Sequence, residues 1–211
     1  MSTLRVNNIQ SVTATSPVSV NDSLIISGNN IVGGLTTKGV AFGAGTLASG
    51  SYTFAHGGQT IAKGFYSHAE GLSTTAVGNY SHAQGRITSA SGQYSHAEGS
   101  ASKAEGAASH AEGFSTYASG TYSHAEGNLT SASGANSHAE GLNTKAIGYA
   151  SHAEGQSTTA LGWYSHAEGD NTFASGTYAH AEGRSTSASG DYSHAEGYQT
   201  QAVGVASHAE G

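Results

Sequence analysis

The chain of 211 residues has no cysteine, one proline and one tryptophan. Without cysteine there is no disulfide and no thiol chemistry, and the redox compartment stays open. Only 10% of the residues are charged, and aliphatic side chains are scarce. Such a composition does not build a conventional globular core. Seven lysines and arginines are scattered along the chain, which leaves no basic patch for nucleic acid. No stretch approaches the ~18 apolar residues of a membrane span. The opening Met1-Ser2-Thr3-Leu4-Arg5-Val6-Asn7-Asn8 lacks the apolar core of a signal peptide. Neither nucleic-acid binding nor membrane insertion is expected.

What the chain has is glycine and regularity. Tyr66-Ser67-His68-Ala69-Glu70-Gly71 returns every 14 residues until Gly211. The histidines are His68, His82, His96, His110, His124, His138, His152, His166, His180, His194 and His208. Two residues after each stand Glu70, Gln84, Glu98, Glu112, Glu126, Glu140, Glu154, Glu168, Glu182, Glu196 and Glu210. A shorter period of seven lies beneath. From Ala41-Phe42-Gly43 onward, 25 consecutive Ala-x-Gly triplets occur without a slip. Strict self-similarity overrides the compositional prior, because repeats bury small residues coil upon coil.

The unit Ser/Thr-x-Ala-x-Gly-x-x alternates by two, which predicts a strand. A glycine every seven residues excludes a helix. Ser67, Ala69 and Gly71 then share one face, and His68 and Glu70 the other. The constant small residues must point inward, since a flattened coil of two short strands has almost no interior. The expected fold is therefore an all-β parallel β-roll of 14-residue coils over residues 36–211, with two short strands per coil. Residues 1–35 read as a separate module of three short strands, around Leu4-Val6-Ile9, Val18-Val20 and Leu24-Ile25-Ile26. So short a segment needs neighbours to fold, and its expected role is attachment or trimerisation.

Val40 and Phe42 occupy the His and Glu positions of an early coil, and Phe54 precedes His56 in the next. Apolar side chains on this face predict that it packs against other copies of the chain. The expected trimer interface comprises Val40, Phe42, Phe54 and the whole His/Glu series. The opposite outward face is variable, and Tyr117, Ile147, Leu161, Phe173 and Val203 are its candidate contact residues.

Val40-Ala41-Phe42-Gly43 and Tyr66-Ser67-His68-Ala69-Glu70-Gly71 resemble the Asn-Ser-Val-Ala-Ile-Gly repeats of trimeric autotransporter adhesin heads, the YadA-like family. That resemblance covers residues 36–211 and implies a homotrimer of left-handed parallel β-rolls. Leu4-Arg5-Val6-Asn7-Asn8-Ile9-Gln10-Ser11, with Pro17-Val18-Ser19-Val20-Asn21-Asp22, resembles the N-terminal segments of phage tail and fibre proteins. Together these imply a virion fibre that holds a virion protein through residues 1–35 and meets a host receptor or glycan through its shaft. The alternative is the head of a bacterial cell-surface adhesin.

Two chemistries fit His-x-Glu on a strand. Both side chains point one way, so a metal ladder at His68/Glu70, His96/Glu98 and His124/Glu126 is one reading. The simpler one is His of one chain bonded to Glu of another, for eleven equivalent sites are many for a functional metal. A charged pair would raise the His pKa and lower that of Glu, whereas burial would keep the imidazole neutral. Tyr52, Tyr66, Tyr80, Tyr94, Tyr122, Tyr164, Tyr178 and Tyr192 share one turn position and read as a stacked corner ladder or a carbohydrate stripe. The threonines at 74, 88, 116, 130, 144, 158, 172, 186 and 200 suggest an ice-binding array only if they face outward. No unique nucleophile or acid pair stands out from the repeats, so neither an enzyme nor a cofactor is expected.

Overall fold

Each 14-residue coil contributes one long and one short strand, as in His68–Leu72 and Thr75–Ala76. The computed structural model describes residues 39–211. The module expected over residues 1–35 lies outside the described residues. Long strands pair in parallel with long strands of adjacent coils, from Val40–Phe42 to His208–Glu210, and form a 13-stranded sheet. Short strands from Leu47–Ala48 to Gln201–Ala202 form a 12-stranded sheet in the same way. The register places like on like: His110 on His124, Ala111 on Ala125, Glu112 on Glu126 and Gly113 on Gly127. The fold is an all-β parallel solenoid of 14-residue coils, as the periodicity predicts.

The interior is built from small side chains. The lattice alanines from Ala55 to Ala195 are fully buried, and Thr60, Thr74, Ser67 and their successors are almost as closed. The threonines are therefore inside, which removes the outward array that ice binding requires.

The two halves of a coil look equivalent in sequence and differ in structure. Gly71 has φ +117, and the strand runs on through Leu72. Gly78 is not left-handed; the chain turns there, and its carbonyl accepts bonds from the Ser81 N–H at 3.3 Å and the Ser81 hydroxyl at 2.7 Å. The same hydroxyl contact recurs from Ser95 to Ser193 at 2.5–2.8 Å. Serine suits this half because its hydroxyl reaches back three residues. In the other half Thr fills the roll, and the Oγ1 atoms of nine threonines are buried without a partner. Ser102, in a Thr position, is small enough to turn its hydroxyl onto the Gly113 carbonyl at 3.0 Å.

The corners carry the strain. Every seventh residue, from Tyr52 to Ala206, is a non-glycine in the left-handed region, with φ between 50 and 60°. This conformation costs about 1 kcal/mol or more per residue. In return the corner N–H points at the preceding coil: Tyr66 donates to Ser51 O at 3.0 Å and Ser73 to Gly58 O at 2.8 Å. Backbone pairing thus continues round the bends, where buried peptide groups would otherwise lack partners.

Glycine sets the distance between coils. A Cβ on Gly134 would lie 2.0 Å from the Gly148 carbonyl oxygen, and one on Gly127 would lie 2.2 Å from that of Gly141. These contacts are with backbone and cannot relax without separating the coils. Gly58, outside the lattice, would meet only the end of the Leu72 side chain at 3.1 Å. Gly134→Ala should therefore destabilise by about 3 kcal/mol or more, and Gly58→Ala by less than ~1 kcal/mol. Thermal or urea unfolding of the two variants checks this; equal losses would contradict backbone contact as the limit on coil spacing.

Candidate interaction faces

The long-strand sheet turns two ladders outward. All eleven repeat histidines stack on their neighbours, with ring centroids 4.7–5.0 Å apart and planes within 23° of parallel. In-register pairing leaves the rings no other place. Beside them run the glutamates. His Nε2 lies 3.4–3.8 Å from Glu Oε2 of its own coil at His68, His96, His110, His124, His138, His152 and His166. Farther on the partner changes, with His194 near Glu182 at 3.6 Å and His208 near Glu196 at 3.4 Å. The pairing anticipated between chains thus has a counterpart within one chain.

These contacts are longer than well-formed hydrogen bonds. The Nε2 atoms of ten repeat histidines, from His68 to His194, are covered and have no hydrogen-bond partner. The His and Glu side chains themselves remain roughly a third to a half exposed, as at His124 (38%) and Glu126 (52%). Phe42 is 56% exposed and touches Phe54 at 6.0 Å on the same face. The expected interface residues therefore do share one surface.

Burial and stacking push the imidazoles down. His82, His110, His124, His166 and His180 have pKa values below the ordinary value, through desolvation first and then the neighbouring histidines. The charged-pair expectation of raised His values is not met at these five positions, because loss of water and like neighbours outweigh the nearby carboxylates. Glu168 is raised to about 7, chiefly by its hydrogen bond to Glu182, and Glu182 is lowered by the same bond.

A group whose folded pKa is lowered binds fewer protons in the folded state. The unfolded histidines titrate near 6.5, so their contribution is complete above that pH and lost as pH falls through it. Glu168 acts oppositely: its contribution is present in acid and lost as pH rises through about 7. Five histidines outweigh one carboxyl. The melting temperature should fall from pH 7.5 to pH 5.5, and Glu168→Gln, which removes the opposing contribution, should steepen the fall. A flat or rising profile would contradict the neutral ladder.

Imidazole and carboxylate together suit zinc and its neighbours. The coils that gather ligand atoms within 4.8 Å are the later ones: His152/Glu154/His166, His166/Glu168/His180, Glu182/His194/Glu196 and Glu196/His208/Glu210. His68/Glu70, His96/Glu98 and His124/Glu126, the coils singled out from the sequence, do not form such groups of three among the described residues. In the first two groups a carboxylate joins histidines of adjacent coils, and in the last two, beyond the change of partner, a histidine joins carboxylates of adjacent coils.

On the short-strand face, Ile147 and Leu161 hold the same position on adjacent coils, and Phe173 follows on the next. All three are about 40% exposed and lie on three adjacent coils, with Phe173 in the neighbouring row, that of Lys145 and Thr159. Tyr117 and Val203 lie two coils beyond either end of it. Tyr117 is less exposed and donates its hydroxyl to Glu105 Oε2 at 2.6 Å. The expected contact set is therefore one patch with two outliers. The tyrosine corner stacks where tyrosines are consecutive: Tyr52–Tyr66–Tyr80–Tyr94 and Tyr164–Tyr178–Tyr192 have centroids 4.8–5.4 Å apart. The sequence signal for this left-handed backbone lies at other corners, where Asn136, Asn143 and Asn171 are of a residue type suited to it.

Among the described residues no helix is long and apolar enough to cross a membrane. No curated protein matches the chain. Residues 139–165, 153–179 and 167–193 match the YadA head domain repeat (2 copies), so the stretch 139–193 is similar to the coils of that head.

Proposed function

We propose that the chain is a non-enzymatic, adhesin-like fibre that assembles as a homotrimer and attaches to a host surface. One observation carries the reading: a His ladder whose ring nitrogens lack partners, flanked by Glu at every rung but Gln84 and continued by exposed Phe42 and Phe54, covers one face of a single chain. Solvent alone gives no reason to repeat His eleven times while the opposite face varies freely. A second copy supplies the missing donors and acceptors and covers the phenylalanines. The YadA head repeat match supports the adhesin reading and, with it, a surface-exposed or extracellular location.

Two settings fit this rod. The N-terminal resemblance favours a virion fibre held through residues 1–35, and the repeat match favours a bacterial cell-surface head equally well. Light scattering at micromolar concentration should give about three chains per particle. A stable, soluble monomer would refute both the oligomer and the role given to the His/Glu face.

Ile147, Leu161 and Phe173 form the proposed outer contact. Replacing all three with serine should leave the melting temperature within a few degrees and reduce binding to host cells at least tenfold. Unchanged binding would move recognition away from this patch.

A further inference from the structure

The tyrosine ladder is interrupted at one place by a single missing rung. Tyr94 ends the first stack, Ala108 holds the next position and Tyr122 the one after. The backbone does not change there: φ is 59° at Tyr94, 52° at Ala108 and 57° at Tyr122. Only the ring is absent, and Ala107 beside it is equally small. Exposure records the gap. Tyr66 and Tyr80, with rings on both sides, are 49% and 46% exposed, whereas Tyr94 and Tyr122 are 58% and 67% exposed. Tyr94 has a ring neighbour only at Tyr80, and Tyr122 stands between Ala108 and Asn136.

We propose that this gap is a binding slot for one pyranose ring of a glycan. Two coil steps separate Tyr94 from Tyr122, so their faces stand roughly 10 Å apart by twice the inter-strand spacing. That leaves room for one ring in stacking contact with both. A tyrosine face is electronegative and its ring edge electropositive. An aromatic ring stacks there too, as the tyrosines do on one another at 4.8–5.4 Å, but it would leave the neutral hydrogen-bonding rim unused. A pyranose offers C–H groups on both faces, and these suit the two π clouds at once. The rim fits the same guest: Gln93 and Thr121 are exposed, flank the gap and carry neutral hydrogen-bonding groups. The six corner residues 93, 94, 107, 108, 121 and 122 bear no charge.

The backbone supplies an independent reason. Tyrosine sits at this corner in the left-handed conformation, which bulky side chains adopt at a cost. Alanine and asparagine hold the same place at Ala150 and Asn136. Strain retained where a cheaper residue fits marks a use for the side chain. The other interruption, Asn136 and Ala150 between Tyr122 and Tyr164, is two rungs wide and cannot clamp one ring. The slot belongs to a single chain; it narrows the attachment reading to a ligand class and rests on that reading for its setting.

The test uses the whole chain on a printed array of bacterial and animal glycans, with each hit titrated in solution by calorimetry. The parent should bind at least one glycan. Ala108→Tyr should fold, since its φ matches that of the tyrosines; it should melt higher than the parent and lose at least tenfold in glycan affinity. Tyr122→Asn, which copies the natural residue at 136, should lose at least as much and serves as the deciding variant if Ala108→Tyr does not fold. Full glycan binding by a folded Ala108→Tyr, or by Tyr122→Asn, overturns the slot. So does a parent that binds no glycan on the array. A parent that adheres to host cells without binding glycan overturns the slot alone and leaves attachment standing, whereas a parent that binds glycan but no cell does the reverse.

Discussion

Coil lies on coil at a separation that only glycine permits. From Gly57 to Gly197, a Cβ at a lattice position would fall about 2 Å from the carbonyl oxygen of the lattice glycine one coil on. Once the backbones are that close, the remaining features follow. The space between the sheets admits only Ala, Ser and Thr. Each residue must lie over its equivalent 14 positions on. The corners must keep donating N–H groups from coil to coil, even where this forces tyrosine or isoleucine into the left-handed region. Stability in such a stack is a sum of nearest-neighbour terms, with no distant contact to rescue a poor interface.

Exact register has an electrostatic price on the outward faces, because it sets like charges over one another. Two unit charges 4 Å apart repel by about 1 kcal/mol in water and by about 4 kcal/mol at an effective dielectric of 20. The glutamate row moderates this in three visible ways. Histidine nitrogens approach most of its carboxylates; Gln84 interrupts the charge between Glu70 and Glu98; and Glu168, raised to about 7 beside Glu182, carries less charge near neutrality. In the histidine row, desolvation and stacked neighbours work against the charged form at His82, His110, His124, His166 and His180. The two rows suit each other on one chain before any second chain is considered.

Much of this was legible in the residues. Alternation by two in Ser67-His68-Ala69-Glu70-Gly71 is enough to place Ala69 inside and His68 outside, because the unvarying small residues fit nowhere else. The unequal halves were not legible. Ala69-Glu70-Gly71 and Ala76-Val77-Gly78 look alike, and the sign of φ at Gly71 against Gly78 depends on the next turn. The lowered His values were not legible either, since they depend on how far the stacked rings exclude water. The gap at Ala108 was written in the tyrosine spacing from the start, but it acquires meaning only once the neighbouring rings are seen to stack.

The inequality of the two halves also governs how such a chain can change length. A duplication or loss of fourteen residues adds or removes one whole coil and leaves each surviving residue over its former equivalent. A change of seven would carry histidines into the short-strand sheet and threonines into the turn where serine usually stands, although the Ala-x-Gly lattice would read on unbroken. Tandem DNA copies misalign readily during replication, and only the even slips would give a folded product. Rods of this kind are therefore expected to evolve in whole-coil increments, with reach adjustable in steps of one inter-strand spacing and surface chemistry passed on a full rung at a time.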